Sequence, residues 1–146
     1  MYLLDVDGVT CDFFGGVEDF FGLPLDPHSY NLAGQLGLTQ TEFIEVLDEH
    51  FWANLKPMND WLVPVLGDVI LCSAAGCESP AAAAGRHKWV KKHYPELELI
   101  SIRNKSLIKG TLIDDLVSNN PAILFPAPHN SLRNIKHIEE YICTKL

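Results

Sequence analysis

Two aspartates, Asp5 and Asp7, end the first apolar run of the chain, directly before Gly8. Side chains alternate between the two faces of a strand, so both carboxylates would share one face while Val6 points into the core. Two acids this close are costly unless a positive group neutralises them, and a hard cation with oxygen ligands, such as Mg²⁺, meets that need. The same residues are typical of a strand that simply ends in a polar turn. The pair alone supports both interpretations equally.

Three later apolar runs also end in polar residues of the kinds that phosphoryl transfer needs. In chain order they supply a hydroxyl, a lysine and a second pair of acids: Ser73, Lys105, Asp114 and Asp115. Ligands of open α/β sheets bind at the carboxyl ends of the strands, so all these residues can meet in one crevice with Asp5 and Asp7. The sequence therefore predicts an α/β fold with a phosphate site at one edge of its sheet.

This order of acid pair, hydroxyl, lysine and acid pair resembles the four motifs of the haloacid dehalogenase-like (HAD) phosphohydrolase superfamily. Five segments are similar to the 5'(3')-deoxyribonucleotidase family within it: 5–13, 70–74, 89–92, 103–106 and 112–115. The resemblance implies a three-layer, Rossmann-like core with a parallel sheet and a small helical cap. It also implies Mg²⁺-dependent removal of phosphate from nucleoside monophosphates. The chain departs from the family at Ala74, where a second hydroxyl is common, and at Leu116, where Arg is frequent.

The acid pairs receive catalytic and metal-binding roles in this interpretation. Asp5 would attack phosphorus and form an aspartyl-phosphate, and Asp7 would protonate the leaving oxygen and later deprotonate the attacking water. An Asp5 oxygen, the backbone carbonyl of Asp7 and the Asp114 carboxylate would hold Mg²⁺, with Asp115 binding through water or orienting the other ligands. A solvated strand end is the alternative for Asp114 and Asp115.

The phosphate would be held by a hydroxyl, by backbone N–H groups and by a cation. Ser73 ends its apolar run where its hydroxyl and the backbone N–H groups that follow, from Ala74 on, can bind non-bridging oxygens. A hydroxyl there is also ordinary turn chemistry. The positive charge of Lys105 would offset the repulsion between the Asp5 carboxylate and the negatively charged phosphate. Lys109 is the competing lysine, and we expect it to face solvent.

Five further residues are candidates for binding the rest of the substrate. Arg103 lies in the segment of Lys105, and Arg86 falls where relatives carry a second phosphate-contacting lysine, although a surface charge is the alternative for Arg86. Phe13, Phe51 and Trp52 match the placement of base-stacking aromatics in the family, and stacking tolerates different bases. Packing in the core is the alternative for all three rings. The histidines lack metal-ligand spacing, and we interpret them as surface or packing residues.

The chain of 146 residues is long enough for one domain with a sizeable core. We expect the core at 1–14 and 59–146, with the helical cap inserted at about 15–58. The sequence Thr39-Gln-Thr-Glu42 predicts a helix start, and Ser79-Pro80 predicts a helix to about residue 92. Strands are expected near 97–102, 111–114 and 122–125. A last helix is predicted to begin at Asn130 or Ser131.

Composition limits the partners. A net charge of −8 argues against stable nucleic-acid binding, because such affinity comes mainly from Lys and Arg. The four cysteines lack Cys-x-x-Cys spacing, which favours reduced thiols in a cytoplasmic protein. No apolar run approaches the length of a membrane span, and a strand starting at residue 2 leaves no room for a signal peptide. The sequence leaves a homodimer open.

The sequence thus favours a Mg²⁺-dependent phosphatase of nucleoside monophosphates, and two other classes remain. One keeps the chemistry but acts on another small phosphorylated metabolite, such as a phosphosugar, or on a polynucleotide 3'-phosphate. The other is a non-catalytic protein that binds nucleotides. The presence of both Asp5 and Asp7 disfavours the latter, since binding alone needs no acid and base.

Overall fold

A computed structural model of the protein describes residues 1–116 and 122–146. The fold is α/β, with a five-stranded sheet in the order β3-β2-β1-β4-β5 in which all neighbouring strands are parallel. This confirms the predicted α/β class and parallel sheet and is consistent with a Rossmann-like fold. The strands are β1 (Tyr2–Asp5), β2 (Val69–Ser73), β3 (Leu99–Ser101), β4 (Thr111–Asp114) and β5 (Ala122–Leu124).

The described part of the chain also contains seven α-helices. They are α1 (Phe13–Phe21), α2 (Leu32–Gln35), α3 (Gln40–Val46), α4 (Glu49–Ala53), α5 (Leu62–Leu66), α6 (Pro80–His93) and α7 (Ile138–Lys145). Short 3-10 turns follow β2 at Ala75–Cys77 and β3 at Lys105–Leu107. Within these described ranges, no helix combines the length and the apolar character that a membrane crossing requires.

The central strands are apolar because both faces of the sheet are covered. Leu3 and Leu4 of β1 are fully buried, as are Leu112 and Ile113 of β4. Continuous apolar runs of this kind are typical of parallel strands inside α/β folds. In the sheet, β1 has β2 on one side and β4 on the other, so the chain reverses direction across the sheet after β3. A reversal of this kind opens a crevice at the carboxyl ends of the strands.

Five of the helices lie between β1 and β2 in the chain, and polar side chains cap four of them. Asp12, Asn31 and Asp48 each accept a hydrogen bond from a backbone N–H in the first turn of α1, α2 and α4, respectively. At α3, Thr39 and Glu42 form the reciprocal capping box that the sequence predicted. Local sequence therefore accounts for these helix starts.

The longest helix, α6, begins where Ser79 and Pro80 predict. The Ser79 hydroxyl accepts a hydrogen bond of 3.0 Å from the Ala82 N–H. Gly85 lies in the middle of this helix because α4 approaches it closely. A Cβ atom at Gly85 would lie 2.5 Å from Trp52 Cβ and 2.6 Å from the Glu49 carbonyl oxygen. The glycine thus permits the contact between α6 and α4.

The predicted start of the last helix is wrong. Helix α7 begins at Ile138, and turns occupy the preceding residues. Asn130 bridges two segments instead of capping a helix: its Nδ2 donates to the carbonyl oxygens of Asp115, at 3.0 Å, and Phe125, at 2.7 Å. The bond to Asp115 holds the segment after β5 against the end of β4.

Candidate active site

The ends of β1 and β4 bring three carboxylates together. Leu4 pairs with Ile113, so the residues that follow, Asp5 and Asp114, end their strands side by side. One oxygen each of Asp5, Asp114 and Asp115 lies within 4.8 Å of the others, and all three residues are buried. Strand pairing therefore creates the acidic cluster that the sequence predicted at this sheet edge.

Lys105 bridges two of these acids from the 3-10 turn after β3. Its Nζ donates to Asp5 Oδ1 and lies 2.8 Å from Asp114 Oδ2. Burial by itself lowers the pKa of Lys105, but Asp5 and Asp114 raise it further than burial lowers it. Lys105 is therefore a permanent cation within the cluster.

One ammonium group does not balance three carboxylates. Burial raises the pKa of Asp5 well above its ordinary value, Lys105 opposes that rise, and Asp114, Asp115 and Asp7 add to it. Burial likewise raises the pKa of Asp115, although His129 opposes this rise. These shifts reflect the cost of concentrating negative charge where water is scarce.

The cluster fits a divalent cation. Its donors are carboxylate oxygens, which Mg²⁺ prefers, and they exceed the positive charge that Lys105 supplies. Within the described residues, the buried Asp115 Oδ1 has no hydrogen-bond partner. A cation held by Asp5, Asp114 and Asp115 would satisfy this oxygen and neutralise the excess charge.

Asp7 lies beside the cluster in a tight loop after β1. Gly8 adopts a φ of +83°, which favours glycine, and its N–H donates to the Cys11 carbonyl oxygen at 2.9 Å. The Asp7 side chain is 21% exposed and forms an ion pair with Arg86. Asp7 is therefore fixed at one oxygen and still reaches solvent.

A cavity of about 560 Å³ opens above these residues. The polar part of its lining includes Asp5, Asp7, Lys105 and Asp114, and its aromatic part contains Phe13, Tyr30, Phe43 and Trp52. A cavity lined both by charged side chains and by aromatic rings suits a ligand that carries phosphate at one end and a flat ring at the other.

The three aromatic candidates occupy different positions in this wall. Phe13 is half-buried and lines the cavity. Trp52 also lines it but is only 2% exposed, because Phe13 stacks on its ring and the Arg86 guanidinium lies over that ring at 5.3 Å. Phe51 is buried outside the cavity lining and packs edge-on against both rings. Phe13 is thus the candidate ring with a surface available to a ligand.

Of the remaining candidate residues, only Ala74 lines the cavity. Ser73 is buried, and its hydroxyl has no hydrogen-bond partner among the described residues. Arg103 is exposed and donates to the Cys77 carbonyl oxygen at 3.0 Å, outside the cavity lining. Arg86 is neither a surface charge nor part of the lining, since it is fully buried. Lys109 is exposed, as expected.

Two residues that sequence reasoning did not select also lie at the site. His129 Nε2 is 3.0 Å from Asp115 Oδ2, and the His129 ring lies 5.0 Å from the ring of Tyr30, which lines the cavity. His129 therefore contacts the acidic cluster, contrary to the expectation of a surface or packing role. Neither residue belongs to a local motif, and only the fold brings them to the site.

No protein-family model matches the chain, and no curated protein matches it significantly.

Proposed function

We propose that the protein is a Mg²⁺-dependent phosphomonoesterase of the HAD type. Its substrates would be nucleoside monophosphates, with deoxyribonucleotides phosphorylated at the 5' or 3' position as the expected class. One observation carries the proposal: Asp5, Asp114, Asp115 and Lys105 meet at the strand-order reversal of a parallel sheet, below a cavity with aromatic walls. In this proposal the helical segment at about 15–58 is the cap over the cavity.

The first chemical step transfers the phosphoryl group to Asp5. A carboxylate oxygen of Asp5 attacks phosphorus, and the bond between phosphorus and the ester oxygen breaks. That oxygen leaves as an alcohol, the nucleoside, after taking a proton from Asp7. The cavity supports this assignment because Asp5 and Asp7 both line it.

The second step hydrolyses the aspartyl-phosphate. Asp7, now deprotonated, takes a proton from water while the water oxygen attacks phosphorus. The bond between phosphorus and the Asp5 oxygen breaks, which releases phosphate and restores both acids to their initial states. Lys105 stabilises the charge that crowds around Asp5 in both steps.

The acidic cluster would hold the metal. Asp5, Asp114 and Asp115, with the backbone carbonyl of Asp7, would bind Mg²⁺, which supplies positive charge that lets an anionic phosphate approach a carboxylate. The buried, unpartnered Asp115 Oδ1 and the excess of carboxylates over cations support this assignment.

The aromatic wall supports a nucleobase as the distant part of the substrate. Phe13 presents a partly exposed ring to the same cavity that contains Asp5 and Lys105. Its stacking on Trp52 leaves no room for a base between the two rings, since their centroids are 5.3 Å apart. A base would therefore stack on Phe13, with Trp52 as the support behind that ring.

Phosphate release from a panel of nucleoside monophosphates, with Mg²⁺ or with a chelator, tests this function. We expect Mg²⁺-dependent release by the wild type and none by Asp5→Asn, because an amide of the same size cannot form the acyl-phosphate. Asp60→Asn is the matched control, since Asp60 is exposed and does not belong to the cavity lining. Circular dichroism would verify that each variant is folded. Release by Asp5→Asn at nearly the wild-type rate would contradict the mechanism.

A further inference from the structure

Arg86 is a fully buried cation directly behind Asp7. It lies on α6, and its Nη2 donates to Asp7 Oδ1. Its Nη1 lies 3.6 Å from Cys11 Sγ, at the other end of the loop that carries Asp7. The two guanidinium nitrogens thus contact both ends of the loop.

Packing fixes the guanidinium group of Arg86. The guanidinium carbon lies 5.3 Å from the ring centroid of Trp52 and 5.5 Å from that of Trp89. Trp89 is fully buried, and its Nε1 donates to the Leu55 carbonyl oxygen at 2.8 Å. Cation–π contacts of this kind are strongest when the cation is shielded from water. Arg86 therefore has little freedom to move away from Asp7.

We propose that Arg86 is a positioning residue for Asp7. By holding Asp7 Oδ1, Arg86 leaves Oδ2 as the oxygen that exchanges a proton with the leaving group and with water. This inference rests on the proposed function, because it assumes that Asp7 transfers a proton.

The position of Arg86 does not favour direct binding of substrate or metal. Arg86 has no exposed surface and lies outside the cavity lining, whereas its partner Asp7 belongs to that lining. Its hydrogen bonds go to Asp7 and Cys11, and none goes to Asp5, Asp114 or Asp115. Any effect of Arg86 on the reaction must therefore pass through the loop of Asp7 or through Trp52, which lines the cavity and contacts the guanidinium group. An effect through Trp52 would add to that of Asp7→Asn, whereas an effect through the loop would not.

Leaving-group dependence provides the test. Arg86→Lys keeps the charge but loses the planar group that contacts both ends of the loop, and Arg86→Met removes the charge. Single-turnover rates would be measured for a nucleoside monophosphate, whose alkoxide leaving group needs a proton, and for p-nitrophenyl phosphate, which needs it far less. The ratio of the two rates does not depend on the folded fraction, so it remains valid for a partly unfolded variant.

We expect this ratio to fall about 10- to 100-fold in Arg86→Lys, in the same direction as in Asp7→Asn, because general acid catalysis contributes about 10²- to 10⁴-fold. Arg86→Met should lower it at least as far, provided that it folds. Adding Arg86→Lys to Asp7→Asn should change the ratio little further, since the two residues act as a unit. Lys91→Met, an exposed change on the same helix, should leave the ratio unchanged.

Calorimetric titration with Mg²⁺ adds a readout that is independent of turnover. We expect Arg86→Lys to bind Mg²⁺ as the wild type does, because Arg86 contacts none of the three carboxylates of the cluster. Its bond to Asp7 is to a side-chain oxygen, whereas the proposed Mg²⁺ ligand is the Asp7 backbone carbonyl. A large loss of Mg²⁺ affinity would overturn the inference, since Arg86 would then support the whole site.

The kinetic results distinguish failure of the positioning role from failure of the proposed function. An unchanged rate ratio in Arg86→Lys, with the ratio lowered in Asp7→Asn, would overturn the positioning role alone. A wild type that releases phosphate from neither substrate would overturn the proposed function, and the inference would fail with it.

Discussion

The rings of Phe13 and Trp52 stack with their centroids 5.3 Å apart and their planes inclined by 19°. Phe13 comes from the start of α1 and Trp52 from α4, so this contact joins the two helices at the cavity. Of the two, only Phe13 is partly exposed, because Trp52 is covered by Phe13 and Arg86. Phe13 is therefore the ring on which a base could stack, and Trp52 supports it from behind.

This inequality predicts the effect of Phe13→Leu on substrate choice. The change should lower kcat/KM for a nucleoside monophosphate relative to a small alkyl phosphate by about 5- to 150-fold, since stacking contributes about 1 to 3 kcal/mol per base. The alkyl phosphate lacks a base, so it isolates the contribution of the ring.

Phe20→Leu is the control for Phe13→Leu. Phe20 belongs to the same helix, is 41% exposed and lies outside the cavity lining, so the ratio should stay at the wild-type value. If Phe13→Leu also leaves the ratio unchanged, the ring only packs, and a phosphosugar becomes the better substrate hypothesis.

The acidic cluster predicts that two substitutions weaken Mg²⁺ binding. One oxygen of Asp115 lies within 4.8 Å of an oxygen each of Asp5 and Asp114. We therefore expect both Asp114→Asn and Asp115→Asn to raise the Mg²⁺ dissociation constant about tenfold or more. Calorimetry and the Mg²⁺ dependence of phosphate release would measure this, with Asp60→Asn as the control. Full activity in the presence of excess chelator would refute the metal site.

The close approach of α4 and α6 predicts that Gly85→Ala destabilises the protein. Helix propensity alone would make alanine the more stable residue by about 1 kcal/mol. The added Cβ would, however, lie 2.5 Å from Trp52 Cβ and 2.6 Å from the Glu49 carbonyl oxygen. Because overpacking costs about 1 to 3 kcal/mol, we expect a lower free energy of unfolding in urea. A variant more stable than the wild type would show that the helices separate easily.

The thiols should differ in reactivity. Burial raises the pKa of Cys11 to about 12 and that of Cys72 to about 11, whereas Cys77 and Cys143 are exposed. The thiolate is the reactive form, so at about pH 8 a thiol reagent should label the two exposed cysteines of the native protein and all four in urea. Cys77→Ser should remove one rapidly labelled site. Rapid labelling of a third thiol in the native state would contradict the buried positions.

The sequence predicted the centre of the site because strand ends are local features. Asp5 and Asp114 follow apolar runs, and parallel strands present their carboxyl ends at one edge, so their proximity follows from the α/β pattern alone. Lys105 lies one turn beyond a third strand, at a distance that its long side chain can span. The structure places these three side chains in direct contact.

The features that were missed depend on long-range packing. The sequence around Arg86 does not indicate that Arg86 is buried or that Asp7 neutralises its charge, because Asp7 lies 79 residues away in the chain. The position of His129 depends on how the segment after β5 folds back onto the end of β4, where Asn130 holds it. The same side-chain bonds explain why Asn130, a typical helix cap, failed to predict the start of α7.

The position of β1 in the sheet has a consequence for folding. This strand precedes every other strand in the described part of the chain, yet both of its neighbours, β2 and β4, come much later. The residues that pair between β1 and β4, such as Tyr2 and Thr111, lie more than 100 residues apart in the chain. Contacts this distant in sequence slow the search for the native state. During synthesis, Asp5 at the end of β1 would lack Lys105 and Asp114 until β4 emerges, so the acidic cluster and the sheet centre would be completed together.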